Sequence, residues 1–159
     1  MKKYFFFLIP IIIISLIACA QTKKSAKSTA KKMDIEYVMM RRTACFGKCP
    51  IYNIELYKDG RIKYTGLRFV KDSGVYEKNI GAAAAEKIFD KMRAYRIDTC
   101  SEKYNMNITD LPGIYFNYTM NNEERKIINA NFGPSFLRRL AEDIDVLGAD
   151  NHTGWKKND

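Results

Sequence analysis

Alternating apolar and polar residues along much of the chain predict β-strands. In residues 51–57, Tyr52, Ile54 and Leu56 alternate with residues of the opposite face, and the same alternation continues in residues 61–65. Shorter runs of this kind predict the remaining strands. They lie at residues 35–40, 69–70, 75–76, 114–120 and 125–130.

The loop between residues 57 and 61 determines how two of these strands pair. A three-residue loop at 58–60 places Leu56 opposite Ile62, which keeps the apolar residues on one face. A two-residue loop would place Leu56 opposite Lys63 and mix the faces. We therefore predict the three-residue loop, with Gly60 in the left-handed position of a type I turn followed by a bulge.

Two segments have the apolar spacing of amphipathic helices. The first covers residues 82–96, and the second begins at Gly133-Pro134, with Pro134 at the first helical position, and stops at Gly148. The chain order is strands, helix, hairpin, helix. This order predicts an α+β fold, in which an antiparallel sheet built from hairpins carries both helices on one face.

The first 18 residues have the layout of a secretory signal peptide. A positively charged start precedes an apolar run at residues 4–17, which is short for a membrane-spanning helix of about 20 residues. Residues 16–19 (LIAC) resemble the lipobox of bacterial lipoproteins. The resemblance implies cleavage before Cys19 and lipid attachment to it. The alternative is an uncleaved signal anchor in which Cys19 is incidental.

Residues 19–33 follow as a lysine-rich segment, which we interpret as a flexible tether with a span of roughly 20 Å. Its five lysines would either attract anionic lipids or serve as a solubilising spacer. By the sorting rule for lipoproteins, Ala20 directly after Cys19 favours the outer membrane. We expect the protein to face the periplasm.

The charge of the chain does not indicate nucleic-acid binding. The chain has 27 Lys and Arg against 18 Asp and Glu. Two of the basic residues belong to the predicted signal and five to the predicted tether. The rest of the chain is predicted to be a single globular domain at 34–150 and a polar tail at 151–159, and together these residues are nearly neutral. The excess basicity lies in the predicted anchor, and we expect no nucleic-acid partner.

The sequence CFGKCPIY at residues 45–52, followed by Asp59-Gly60 and Gly66, resembles a family of bacterial envelope proteins. This family is the domain of unknown function numbered 6438, and the resemblance covers about residues 35–150. Residues 68–70 and 109–112 agree with its pattern, whereas the segment around Trp155 departs from the family's usual ending. The resemblance implies a fold and an envelope location and no established activity.

Cysteine placement favours one short disulfide. Because an exported domain is usually oxidised, Cys45 and Cys49 are expected to pair, and their three-residue spacing permits a tight closed turn. Cys100 is then free, unless it replaces one of the two. The alternative to a structural disulfide is a thiol-redox role for this pair, although its C-x3-C spacing differs from the CxxC pattern of thioredoxin-like motifs. The cysteines and one histidine form a poor zinc ligand set, and we predict no metal and no cofactor.

No catalytic residues are assigned from the sequence. The single histidine, His152, lies in the predicted polar tail, and nothing in the sequence places an Asp or Glu base next to a serine or cysteine. Asp110 would cap a turn before Leu111-Pro112 or serve as a ligand-binding carboxylate. Tyr57 and Tyr115 are predicted to point away from the core and are further candidates for ligand binding.

We therefore expect an uncharacterised envelope lipoprotein with a non-enzymatic binding or structural domain. Its partner would be an envelope protein, a glycan or a lipid. The first alternative is a hydrolase or an inhibitor-like module with a site near Asp110 and residues 45–52, and the second is a thiol-redox protein.

Overall fold

The computed structural model describes residues 33–105, 111–149 and 151–158. They belong to a compact unit at Met33–Asp159, whose hydrophobic core is formed by its own residues. The predicted signal, the predicted lipid-attachment residue Cys19 and the predicted tether up to residue 32 lie outside the described residues. None of the described helices is both long enough and apolar enough to span a membrane.

The elements occur in the predicted order of strands, helix, hairpin and helix. In chain order they are β1 Ile35–Arg42, β2 Ile51–Tyr57, β3 Arg61–Arg68, β4 Gly74–Asn79, α1 Ala82–Ala94, β5 Ile114–Met120, β6 Glu123–Ile127, α2 Ser135–Gly148 and β7 Lys156–Asn158. Two short 3-10 turns lie at Ile97–Thr99 and Ala130–Phe132.

The strands form one antiparallel sheet with the order β6-β5-β1-β2-β3-β4-β7. Alternate residues of its central strands are buried, and the residues between them lie on the opposite, open face. The buried faces of α1 and α2 complete the single core cluster with the buried face of the sheet. The predicted α+β class is confirmed.

The β2–β3 hairpin has the predicted register. Leu56 pairs with Ile62 and Ile54 pairs with Tyr64. Gly60 has a φ of 87°, and a Cβ at this position would lie 2.2 Å from the carbonyl carbon of Gly81. The turn therefore needs glycine for two reasons, its left-handed backbone and the close approach of the chain that leads into α1.

Several element boundaries differ from the sequence predictions, and the start of the second helix and the end of β3 are two of them. Helix α2 starts at Ser135, so Pro134 precedes the helix as its cap rather than occupying its first position. Strand β3 continues to Arg68 and then stops, which leaves the predicted strand residues Phe69 and Val70 in the loop before β4. Phe69 has a φ of 56°, an uncommon conformation for a bulky residue, and this conformation ends the strand.

The prediction of a polar tail at residues 151–159 is wrong. Residues 156–158 form β7, which pairs with β4 at one edge of the sheet. His152 is buried and Trp155 packs against the core. The C-terminal residues are therefore part of the domain, because their aromatic and imidazole rings contribute to its packing.

Candidate functional site

Three loops lie together at one end of the sheet, since β1 and β3 end there and β2, β4 and β5 begin there. We call this the disulfide end and define it as residues 43–50, 67–73 and 111–113. The described chain begins at the opposite end, because Met33 lies two residues before the start of β1.

The β1–β2 loop is closed on itself and tied to its neighbour. Cys45 and Cys49 form the predicted disulfide, with Cα atoms 5.7 Å apart. At the base of the loop, Thr43 donates its backbone N–H to the carbonyl of Gly113 over 3.1 Å, and the Gly113 N–H donates to Thr43 Oγ1 over 2.8 Å. These bonds fix the loop against the start of β5 and reduce its conformational freedom.

Exposed apolar side chains are concentrated at the disulfide end. Phe46, between the two cysteines, is 90% exposed, and Leu67, Phe69 and Leu111 are each about half exposed. The fifth large apolar residue that is exposed in the described part of the chain is Val146, on α2. Clustering of exposed apolar groups is typical of an interaction surface, because water contact with such groups is unfavourable.

A carboxylate on α2 holds the two strands that flank the disulfide loop. Asp145 Oδ1 accepts a hydrogen bond from the Tyr52 hydroxyl over 2.6 Å, and Asp145 Oδ2 accepts one from Arg42 Nε over 2.9 Å. Burial and the hydrogen bond to Asp145 raise the pKa of Tyr52. The last residue of β1 and the second of β2 are therefore fixed to the helix layer, which positions the loop between them.

The β3–β4 loop folds back over β3 at Gly66. A Cβ at Gly66 would lie 2.2 Å from the carbonyl oxygen of Asp72, so only glycine permits this approach. The fold-back places Asp72 Oδ2 2.9 Å from Nδ1 of His152. The loop that carries Phe69 is thus held by the C-terminal segment.

His152 has no free ring nitrogen for catalysis. Nδ1 faces the Asp72 carboxylate and Nε2 lies 3.1 Å from the carbonyl oxygen of Gly148, so both nitrogens are occupied by acceptors. The ring stacks on Tyr64 at 4.0 Å and meets the edge of Trp155 at 5.0 Å. His152 is therefore a buried structural residue that fastens the C-terminal segment to the β3–β4 loop.

Tyr57 lies on the open face within a polar network. Its hydroxyl donates to Glu55 Oε2 over 2.8 Å, and the Arg61 guanidinium lies 3.6 Å from the centre of its ring. Tyr37 donates to the same oxygen over 3.2 Å, and Lys63 Nζ is 2.8 Å from Glu55 Oε1. Burial opposes ionisation of Glu55, but the hydrogen bonds from Lys63 and the two tyrosines outweigh it and lower the pKa of this carboxyl. The hydroxyl and the ring of Tyr57 both have partners within the sheet, and its role as a ligand-binding residue stays a prediction.

The other predicted ligand-binding residues are not brought together with Tyr57. Tyr115 is half-buried on the open face and pairs with Arg41 across the β1–β5 ladder, several residues from Tyr57 along the sheet. Asp110 lies in the segment 106–110, outside the described residues. The role of each as a ligand-binding residue stays a prediction.

The remaining cysteine, Cys100, is a free thiol that is partly buried. Burial raises the pKa of its thiol, although a hydrogen bond with Tyr104 acts in the opposite direction. Within the described ranges, no group of three or more His, Cys, Asp or Glu side chains is arranged to hold a metal ion.

Sequence reasoning assigned no role to Phe46 or Gly66. The signal for Phe46 is its position inside a disulfide ring of five residues, too small to bury a phenylalanine within itself. The signal for Gly66 is a glycine inside an otherwise regular strand, which indicates close approach of another backbone segment.

The fold and the site define an α+β domain with one helix-covered sheet face and an apolar, disulfide-closed end. The chain belongs to the family described as a domain of unknown function (DUF6438), whose model matches residues 36–148. No curated protein matches this chain.

Proposed function

We propose that this chain is a lipid-anchored protein of the bacterial cell envelope whose domain is a non-enzymatic binding module. The lipobox-like residues before Cys19 and the oxidised Cys45–Cys49 pair both support an exported protein. The predicted tether would hold the domain at the outer membrane, on the periplasmic side.

The observation that carries the binding role is the exposure of Phe46. A phenylalanine that is 90% exposed forfeits most of the roughly 2 kcal/mol that its burial would contribute to folding. The disulfide, the Thr43–Gly113 hydrogen bonds and the contacts of Asp145 nevertheless hold its loop in place. A fixed loop that presents an apolar side chain to solvent is suited to binding a partner, because little ordering is needed on association.

A non-enzymatic role fits the residues that carry reactive groups. The His152 nitrogens are both occupied, the Tyr52 hydroxyl is bound to Asp145, and Cys45 and Cys49 are joined to each other. In the described part of the chain, no serine, threonine or cysteine side chain is hydrogen bonded to a carboxylate or imidazole base, the arrangement that activates these nucleophiles.

A photo-crosslinking amino acid placed in the full chain in cells tests this proposal. It replaces Phe46 in one variant and Val146 in a matched control, since Val146 is also apolar and 80% exposed but lies on α2. We expect products with a protein, glycan or lipid from position 46 and none above background from position 146. Equal yields from the two positions, or no product from position 46, would contradict the proposal.

A further inference from the structure

The disulfide end is cationic as well as apolar. Lys48, Arg68 and Lys71 of these loops are exposed, as is Arg41, one residue before the end of β1 beside them. None of the four forms an ion pair with the other described residues. Asp72, in the same loops, is hydrogen bonded to His152. Even when Asp110, from the segment that is not described, is counted by its sequence charge, basic residues at this end outnumber acidic ones.

The opposite end, where the tether enters, has mixed charge. It carries five acidic residues near the start of β1, the β2–β3 turn and the β5–β6 turn, together with several bases. The acidic residues are Asp34, Glu36, Asp59, Glu123 and Glu124, and the bases are Lys58, Arg61, Lys78 and Arg125. Within the domain itself, with the lysines of the predicted tether set aside, a negatively charged surface therefore attracts the disulfide end more strongly than the opposite end.

We propose that the disulfide end docks on an anionic lipid bilayer, with Phe46 inserted at the boundary of headgroups and acyl chains. Lys48 follows Phe46 by two residues, so its ammonium group can remain at the headgroups when the phenyl ring enters. Leu67 and Phe69 extend the apolar contact from the neighbouring loop. The inference rests on the proposed function, because the lipid anchor would bring the domain to a bilayer.

The length of chain outside the described residues permits this orientation. Strand β1 has eight residues and separates the tether entry from the disulfide end by roughly 26 Å. The 14 residues from Ala20 to Met33 span up to about 46 Å when fully extended. The domain can therefore turn its disulfide end to the same bilayer that holds its anchor. Docking would supply a second attachment beside the lipid.

The shape of the apolar group favours a bilayer over a protein partner. Phe46 protrudes, as its 90% exposure shows, and Gly47 beside it adds no side chain around the ring. The residues that dominate protein interfaces are packed into a pocket and surrounded by neighbours that exclude water. A bilayer accepts a protruding ring without a matching pocket, and cations around the ring match its anionic headgroups.

Vesicle sedimentation tests the proposal with the soluble domain, residues 33–159, with its disulfide intact. We expect binding to vesicles of phosphatidylglycerol and phosphatidylethanolamine, weaker binding at high salt, and little binding to pure phosphatidylcholine. Phe46→Ser should lower the partition coefficient about tenfold, which is the effect of withdrawing one phenyl ring from the apolar phase. Val146→Ser is the matched control and should leave binding unchanged.

A second pair of variants tests the charge of the disulfide end. Lys48→Glu and Lys87→Glu change the net charge equally, but Lys87 is an exposed residue of α1. Lys48→Glu should weaken binding several-fold more than Lys87→Glu. Equal effects within either pair, no sedimentation with anionic vesicles, or equal binding to phosphatidylcholine would overturn the docking. If the domain does not bind anionic vesicles but position 46 crosslinks to a protein in cells, the bilayer docking is contradicted and the proposed binding function is not.

Discussion

Nδ1 of His152 lies 2.9 Å from Oδ2 of Asp72, and this contact joins residues that are 80 positions apart in the chain. It closes the C-terminal segment over the β3–β4 loop, and the ring packs on Tyr64 at the same time. The loop that carries Phe69 therefore depends on a residue far away in the sequence.

Replacement of His152 by alanine tests this contact. The variant leaves the Asp72 carboxylate and the Gly148 carbonyl without their partner and removes the stacked ring, so we expect a loss of about 2–4 kcal/mol of unfolding free energy. Urea unfolding of the domain at residues 33–159 measures this loss of unfolding free energy. Thr153→Ala changes an exposed neighbour and should stay within about 0.5 kcal/mol of the wild type. Equal stability of the two variants would contradict the structural role of His152.

Gly66 provides a second test of the fold-back. An alanine Cβ would lie 2.2 Å from the Asp72 carbonyl oxygen, so Gly66→Ala should cost about 1–3 kcal/mol as the loop shifts away. At Gly47 the nearest atom to a new Cβ is Cys45 Sγ at 3.9 Å, and Gly47→Ala should be tolerated within about 0.5 kcal/mol. Urea unfolding of the domain compares the unfolding free energies of these two variants. A tolerated Gly66→Ala would mean that the loop does not lie on β3.

The open-face network predicts an acid-dependent contribution of Glu55. Its pKa is lowered in the folded state from an ordinary value of 4.5, so its stabilisation is complete above pH 4.5 and is lost as the pH falls through the folded value. Glu55→Gln should lower stability at pH 7 by about 1–2 kcal/mol, since three side chains donate to the carboxylate.

The pH series supplies the decisive comparison for Glu55. The difference in unfolding free energy between the wild type and Glu55→Gln should decrease progressively as the pH falls below 4.5. Glu124→Gln, an exposed change on β6, should differ from the wild type by less than about 0.5 kcal/mol throughout. A constant Glu55→Gln difference from pH 7 to pH 3 would show that the charge of Glu55 does not stabilise the fold.

Cys100 is expected to react slowly. Because burial raises the pKa of its thiol above the ordinary 9.0, the reactive thiolate is scarcer at neutral pH than in an unfolded chain. Alkylation by iodoacetamide at pH 7 should be slower in the folded domain than in urea, and the folded rate should rise most steeply above pH 9.0. Equal rates in the folded and urea-unfolded protein would make Cys100 an accessible, reactive thiol.

Local sequence signals predicted the hairpins well. The apolar alternation and the 58–60 loop were sufficient for the Leu56–Ile62 register, because both strands and the turn lie within about fifteen residues. The pairing of β1 with β5 was not predicted. It joins Met40 to Phe116, and no local pattern specifies which distant strand completes the sheet beside β1.

The C-terminal segment shows why part of the site escaped prediction. Residues 151–158 have no apolar period, and β7 is only three residues long. The burial of His152 follows from the approach of Tyr64, Asp72 and Trp155, which the three-dimensional packing brings together. The Cys45–Cys49 pair was predictable because its two members are four residues apart. The exposure of Phe46 required the structure, since the sequence does not show what lies against the loop.

We propose above all that an exported, anchored domain presents Phe46 on an oxidised Cys45–Cys49 loop. The most direct measurement is the intact mass of the membrane-extracted protein after alkylation, with and without prior reduction. We expect a chain that begins at a lipidated Cys19 and takes up one alkyl group before reduction, at Cys100, and three after reduction. An intact signal sequence would contradict the anchor, and three alkyl groups without reduction would contradict the closed loop.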